Sequence, residues 1–339
     1  MNAQITQRLL LGAAMLAAAV LGRVSVAVAA NFYAGKTLNV YIGFGPGGGY
    51  DQYGRLFARY LGQHIPGRPT IIAENMPGAG GLKAAMFLDA GAKKDGTDLA
   101  EAPSELALDQ LIGGKSPKLD AAQFNWIGRL AGADTLYFTW HTSETKSFAD
   151  LTRRETPFGS SGSGTTYYVP KALNHLAGTK FKLVTGYNDS TSVLLAVERG
   201  EVDGGYGLWS DLRMRKADWL RDKKINPIIV LGTKRLDGLP STPTLTEVAQ
   251  TAEGRKMLEL LTLGQLGRAF FTAPGVPAQR VAELRQAYAD MLKDPEFQAE
   301  AKKSGLVIEP MSGEELHNDV VKVVHAPESI VEQLTKVIE

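Results

Sequence analysis

The sequence predicts an α/β protein of two lobes with a cleft between them. Three observations lead there. A short apolar strand, Leu38 to Ile42, runs into three consecutive glycines and then into a helix. The same strand–loop–helix order returns between Pro69 and Ala90, which is the pattern of a parallel α/β sheet. Beyond Asp134, a loop of glycine and hydroxyl residues from Gly159 to Thr165 opens another helix, so a second lobe repeats the chemistry of the first loop.

The first stretch organises the chain. Leu38, Val40 and Ile42 are the apolar residues of a buried strand. Gly47, Gly48 and Gly49 leave main-chain N–H groups uncovered by any Cβ, so a ligand can approach them closely. Tyr53, Leu56, Phe57, Tyr60, Leu61 and Ile65 then fall on one helical face. The free N–H groups and the dipole of that helix favour an anion at its start. Asp51 reads as a favourable charge on the first turn rather than a ligand contact, and Arg55 pairs with it one turn on.

The remaining elements follow in order. Pro69 to Asn75 is a strand, Met76 to Gly81 a second glycine loop, and Leu82 to Ala90 a helix. Asp95 to Ile112 holds one more strand and helix, and Asn125 to Gly128 is a strand leaving this lobe. In the second lobe Leu136 to Trp140 is a strand, and Ser147 caps a short helix. Thr166 to Leu176 is a helix that tolerates Pro170 only in its first turn. Phe181 to Val184 is a strand, Thr191 to Arg199 a helix stopped by Gly200, and Val202 to Gly207 and Asn226 to Leu231 are strands. The last third returns to helix: Gln279 to Leu292, Asp294 to Ser304, and Glu314 to Leu334 broken by Pro327.

Bulk properties exclude several classes. The chain has 339 residues, with 37 Lys and Arg against 36 Asp and Glu, so it is no general polyanion or nucleic-acid binder. It has no cysteine, hence no disulfide and no thiolate metal site. Residues 1–30 carry Arg8, an Ala- and Leu-rich run from Leu9 to Gly22, and small residues ending in Ala27-Val28-Ala29-Ala30, the three parts of a cleaved signal peptide. Arg23 breaks the apolar run and argues against a retained anchor.

Two other readings stay open at this point. Gly43-x-Gly45-x-x-Gly48 matches a dinucleotide fingerprint, with Glu74 where a ribose-binding acid would stand, so an NAD-dependent oxidoreductase is the alternative function. Pro46 and the extra Gly49 depart from that loop. The glycines also suit a turn with no ligand role. Ser160, Ser161 and Ser163 form no Gly-x-Ser-x-Gly elbow, and the five histidines show no metal-ligand spacing. No cofactor and no metal are expected. Tyr187, Tyr206 and Trp209, at predicted strand ends and loops, suit core or rim, and as a group favour a ligand with an apolar body.

Several segments together resemble the solute receptors of tripartite tricarboxylate transporters, the Bug- or TctC-type extracytoplasmic binding proteins. They are Gly43-Phe44-Gly45-Pro46-Gly47-Gly48-Gly49-Tyr50-Asp51, Ala73-Glu74-Asn75-Met76-Pro77-Gly78-Ala79-Gly80-Gly81, Gly159 to Thr165, Leu195 to Asp203, and Leu239 to Glu247. Tyr50 stands where many of that family carry a small hydroxyl residue, and Tyr167 and Tyr168 stand near where many carry His. The resemblance implies a type II-like periplasmic binding protein, without catalytic activity, that closes over a small mono- or dicarboxylate. It further implies a monomer that delivers its ligand in the periplasm to a two-subunit membrane permease. The expected lobes are residues 31–133 with 256–339, and 134–255. The expected ligand contacts are Gly47, Gly48, Gly49 and Tyr50 from one lobe, and Ser160, Ser161, Gly162, Gly164 and Thr165 from the other, with Tyr187 and Asp203 beside them.

Overall fold

A computed structural model describes residues 32–112, 119–162, 164–187 and 190–339. The expected leader over residues 1–30 lies outside them, as do Ser163, Asn188 and Asp189 of the two second-lobe loops.

The chain opens with β1 (Thr37–Ile42), α1 (Gly49–His64), β2 (Thr70–Asn75), α2 (Leu82–Ala90), β3 (Asp98–Glu101), α3 (Leu106–Ile112) and β4 (Asn125–Arg129). It continues through β5 (Thr135–Trp140), α4 (Phe148–Arg153), β6 (Thr156–Gly159), α5 (Thr165–Leu176), β7 (Phe181–Val184), α6 (Ser190–Glu198), β8 (Gly204–Leu208), α7 (Trp209–Arg215), α8 (Ala217–Arg221) and β9 (Ile225–Leu231). It ends with α9 (Ala252–Leu263), β10 (Ala269–Thr272), α10 (Ala278–Met291), α11 (Pro295–Lys303), β11 (Met311–Ser312), α12 (Gly313–Val324) and α13 (Glu328–Ile338).

The strands form two sheets. One has the order β11-β4-β10-β3-β1-β2 and the other β7-β6-β8-β5-β9. In the first, β1 lies parallel between β2 and β3, with Val40 opposite both Ala73 and Leu99. The parallel sheet expected from the sequence is in fact mixed. β10 runs antiparallel to β3 and β4, because it enters from the far side after the chain returns from the second sheet. In the second sheet β6 is parallel to β7 and β8, whereas β5 is antiparallel to β8 and β9.

Apolar packing follows the sequence pattern. Leu38, Val40 and Ile42 are fully buried in β1, and Leu56, Phe57 and Leu61 seat α1 on the sheet. Phe57 of α1 stacks flat on Phe270 of β10, ring centroids 3.8 Å apart. That contact ties the first helix to a strand more than two hundred residues later. Pro327 splits the last helical stretch into α12 and α13, as the missing N–H and the restricted preceding residue require. Pro170 stands at the sixth position of α5 rather than in its first turn, so the helix forgoes one backbone bond there. Burial of Val169, Pro170, Ala172 and Leu173 against the second sheet, α9 and α13 holds α5 together instead.

Two connections join the sheets, residues 130–134 and 232–268. They touch where Gly267, at φ +68°, passes Ala131: a Cβ on Gly267 would lie 2.2 Å from the Ala131 carbonyl oxygen. The C-terminal helices are shared. α12 packs on β4 and α3, and α13 packs mainly on α5. Among the described residues no helix is long and apolar enough to cross a membrane.

Candidate functional site

A cavity of about 370 Å³ opens between the two sheets. Tyr50, Ser104, Gln265 and Arg268 come to it from the first sheet and its loops. Thr165 and Thr166 of α5, Ser190, Thr191, Leu194 and Leu195 of α6, and parts of β8 and α7 between Tyr206 and Lys216 come from the second. The size suits a small metabolite.

The first glycine loop delivers one residue of the cavity wall. Tyr50 lies on the first turn of α1, its ring stacked on Phe44 at 3.8 Å. Burial pushes its phenol pKa up, and its oxygen accepts a hydrogen bond from the Ser104 N–H at 2.9 Å. Gly47 and Gly48 are exposed outside the cavity wall, and Gly49 lies behind Tyr50 against the Arg268 side chain. The Gly47 N–H is already engaged, donating to Asp51 Oδ2 at 2.9 Å. Asp51, only 6 % exposed, also accepts from Arg55 Nε and Asn75 Nδ2 at 2.9 and 2.8 Å. Burial pushes the Asp51 pKa up, but the bonds from Arg55, Gly47 and Asn75 outweigh it and hold the carboxyl below its ordinary value. An internal carboxylate thus sits where a pyrophosphate would need free donors, which disfavours the dinucleotide reading.

The second loop is organised in the same way by a residue from the first half. Ser160 is buried and its hydroxyl accepts from the Gly162 N–H at 3.1 Å. Ser161 Oγ lies 2.8 Å from Thr166 Oγ1. Thr165 opens α5, and both its N–H (3.0 Å) and its hydroxyl (2.7 Å) donate to Oε1 of Glu105. Gly164 makes room for that carboxylate. It adopts φ +60° and ψ −161°, and a Cβ there would lie 2.3 Å from Glu105 Oε2. Gln265 Nε2 donates to the same Oε1 at 3.4 Å, and Ser104 Oγ donates to Gln265 Oε1 at 3.4 Å. One polar chain therefore runs from Tyr50 through Ser104, Gln265 and Glu105 to Thr165.

Arg268 supplies the positive charge. It stands just before β10 and is 9 % exposed. Its guanidinium lies 3.9 Å from the centre of the Tyr50 ring, a cation–π contact that fixes it on the cavity wall. Among the described residues no carboxylate lies within ion-pair distance of it. The nearby Glu101 is fully buried, both its oxygens lack a hydrogen-bond partner, and desolvation drives its pKa well above the ordinary glutamate value while the charge of Arg268 pulls it down. Across the cavity, Leu194, Leu195, Leu208, Leu212 and Tyr206 give an apolar wall. Asp211, Arg215 and Lys216 lie along α7 and just beyond it, with Lys216 held by Glu198 at 3.0 Å.

Of the residues singled out in the sequence, Tyr50, Thr165 and Tyr206 line this cavity. Ser160, Ser161, Gly162 and Gly164 shape the loop behind Thr165, and Tyr187 lies beside Gly159 on the same side of the sheet. Asp203 lines a separate depression with Ser143, whose hydroxyl donates to it at 3.2 Å. Sequence reasoning passed over Arg268, Glu105, Gln265 and the leucines of α6 and α7. The one available signal for Arg268 was a lone cation between Gly267 and the apolar run Ala269 to Thr272.

Two mixed sheets are joined by two chain crossings, with a polar-and-apolar hollow between them, and this is the fold seen in two-lobed binding proteins. Within that class the fold is that of the TctC-type receptors. A TctC solute-binding protein from Polaromonas aligns over 90 % of this chain and 99 % of its own, with a TM-score of 0.68 and 18 % identity. An R. palustris protein solved with adipate aligns over 90 % and 97 %, with a TM-score of 0.60 and 22 % identity. MatC from Rhodopseudomonas palustris, solved with malate, aligns over 90 % and 99 %, with a TM-score of 0.58 and 20 % identity. No family model matches the sequence, and no curated protein does.

Proposed function

We propose that this protein is a periplasmic receptor that captures a small organic carboxylate and passes it, as a monomer, to a two-subunit membrane permease, with no catalysis of its own. The observation that carries the reading is the Arg268 guanidinium, buried on the cavity wall with no carboxylate of the described residues within ion-pair distance. A buried cation needs a counter-charge, and a planar carboxylate fits its donor fork. The fold supports the class of protein, and the adipate and malate of the two R. palustris structures support the class of ligand. Residues 31–133 with 256–339 and residues 134–255 are the halves that would close on it, hinged at the two crossings.

Isothermal titration of the purified protein against C4 to C8 aliphatic acids and benzoate tests this. At least one acid is expected to bind with one-to-one stoichiometry, and Arg268→Gln is expected to weaken it by about 10- to 100-fold, the worth of a charge-assisted hydrogen bond. Binding unchanged in that variant, or no acid bound at all, overturns the reading.

A further inference from the structure

We infer that Glu105 fills the second anion cradle of the cleft with the protein's own carboxylate, and that the ligand is consequently a monocarboxylate with an apolar body rather than a dicarboxylate. The inference rests on the receptor reading above and narrows its ligand class.

The geometry is specific. Glu105 projects from the turn after β3, yet its Oε1 accepts from both the N–H and the hydroxyl of Thr165, the first residue of α5. These are the donors that an incoming carboxylate would use at that helix start. Gly164 leaves no spare room, since the Glu105 carboxylate lies directly over its Cα. Gln265 holds the same oxygen from the other side. A second ligand carboxylate arriving here would meet one acid already in place and would repel it. In the opposite loop Asp51 likewise takes one main-chain donor, the Gly47 N–H. That leaves Arg268 as the buried cation of the wall, and the second half adds Leu194, Leu195, Leu208 and Leu212 together with the hydroxyl residues Thr166, Ser190 and Thr191. The cations beyond those leucines are Arg215, exposed at the rim, and Lys216, already paired with Glu198. Asp211 adds a further negative charge on that side. One acid head at Arg268 and an alkyl or aryl tail against the leucines matches the buried charge and the apolar part of the wall. An acid at both ends puts one of them near Glu105, Asp211 and the leucines, with only the hydroxyls of Ser190 and Thr191 and the exposed Arg215 to offset them, so that end is the poorer match.

The test is calorimetric titration of hexanoate against adipate, and butyrate against succinate, so that chain length is matched within each pair. The wild-type protein is expected to bind the monoacid about tenfold or more tightly than the diacid. Glu105→Ala, which empties the cradle, and Glu105→Gln, which keeps the shape and removes the charge, are each expected to narrow that ratio by about tenfold. An unfolding midpoint close to that of wild type shows that the fold is intact. A wild-type preference for the diacid overturns the inference, as does a ratio unchanged in both variants, while Arg268-dependent binding in those cases leaves the receptor reading standing. Absence of binding by all four acids overturns the inference, and the receptor reading falls with it only if the rest of the C4 to C8 panel and benzoate also fail to bind.

Discussion

At the scale of single residues, the cleft is shaped by where each acid finds its partners. Asp51, Glu101, Glu105 and Asp109 lie within one neighbourhood and have four different environments. Asp51 is stabilised by three donors, and Glu105 by the start of a helix from the other half of the molecule. Asp109 has neither, and burial, with Glu105 nearby, pushes its pKa up from 3.8 to about 6. Its folded form therefore holds a proton more tightly than the unfolded chain does, and stability falls as pH rises between those two values. The cost is complete above about pH 6 and absent below pH 3.8. Asp109→Asn is accordingly expected to stabilise the protein by about 1–2 kcal/mol at pH 7, allowing for partial exposure, and to give no gain below pH 4. Urea unfolding of both proteins at the two pH values measures this, and an equal gain at both would contradict the titration argument. Glu101 is shifted in the same direction by desolvation, and both its oxygens lack a hydrogen-bond partner.

At the scale of elements, glycine and proline decide where chain segments end and what they admit. Gly164 combines a positive φ with a carboxylate against its Cα. Gly164→Ala is expected to cost about 1–3 kcal/mol of stability and to dislodge Glu105 from Thr165, read as a lower unfolding midpoint together with altered acid binding. A variant as stable as wild type would mean that the loop relaxes around the methyl group. The strands and helices themselves were largely legible in the sequence. β1, α1 and α2 follow apolar spacing and glycine breaks to within a residue, because both signals are local. Pro327 likewise announced the division of the last helix. Arg268 and Glu105 were not legible, since their meaning lies in contacts across the fold: with Tyr50 for one, with Thr165 sixty residues on for the other. The glycine loops showed main-chain donors but not that Asp51 and Glu105 already occupy some of them. The mixed character of the first sheet was hidden for the same reason, since strand direction depends on the return of the chain at β10.

At the scale of the whole molecule, the two sheets hold together through segments from both ends of the sequence. α13 lays Ile330, Leu334 and Ile338 into the protein, largely against α5, and Lys171 Nζ donates to the Glu339 carbonyl at 2.9 Å. Deletion of residues 328–339 is expected to lower stability by about 5 kcal/mol, the burial of three aliphatic side chains, and to weaken acid binding through the loosened start of α5. Differential scanning calorimetry and titration of the truncated protein would show it, and an unchanged midpoint would mean that α13 contributes little. Ligand, by binding only the folded form, should raise stability by about 2.7 kcal/mol at a hundred times its dissociation constant.

The pairing of Thr135 with Leu231 in the second sheet has a consequence for ancestry and for engineering. The segment between the two crossings starts and finishes on neighbouring strands, so it leaves its host at nearly the spot where it entered. Such a segment behaves as an insert that can be lifted out and replaced by another of the same footprint. Grafting residues 135–231 from a relative with a different appetite would then exchange the leucine wall while keeping the arginine that faces it, provided the transplanted helix still fits beneath α13.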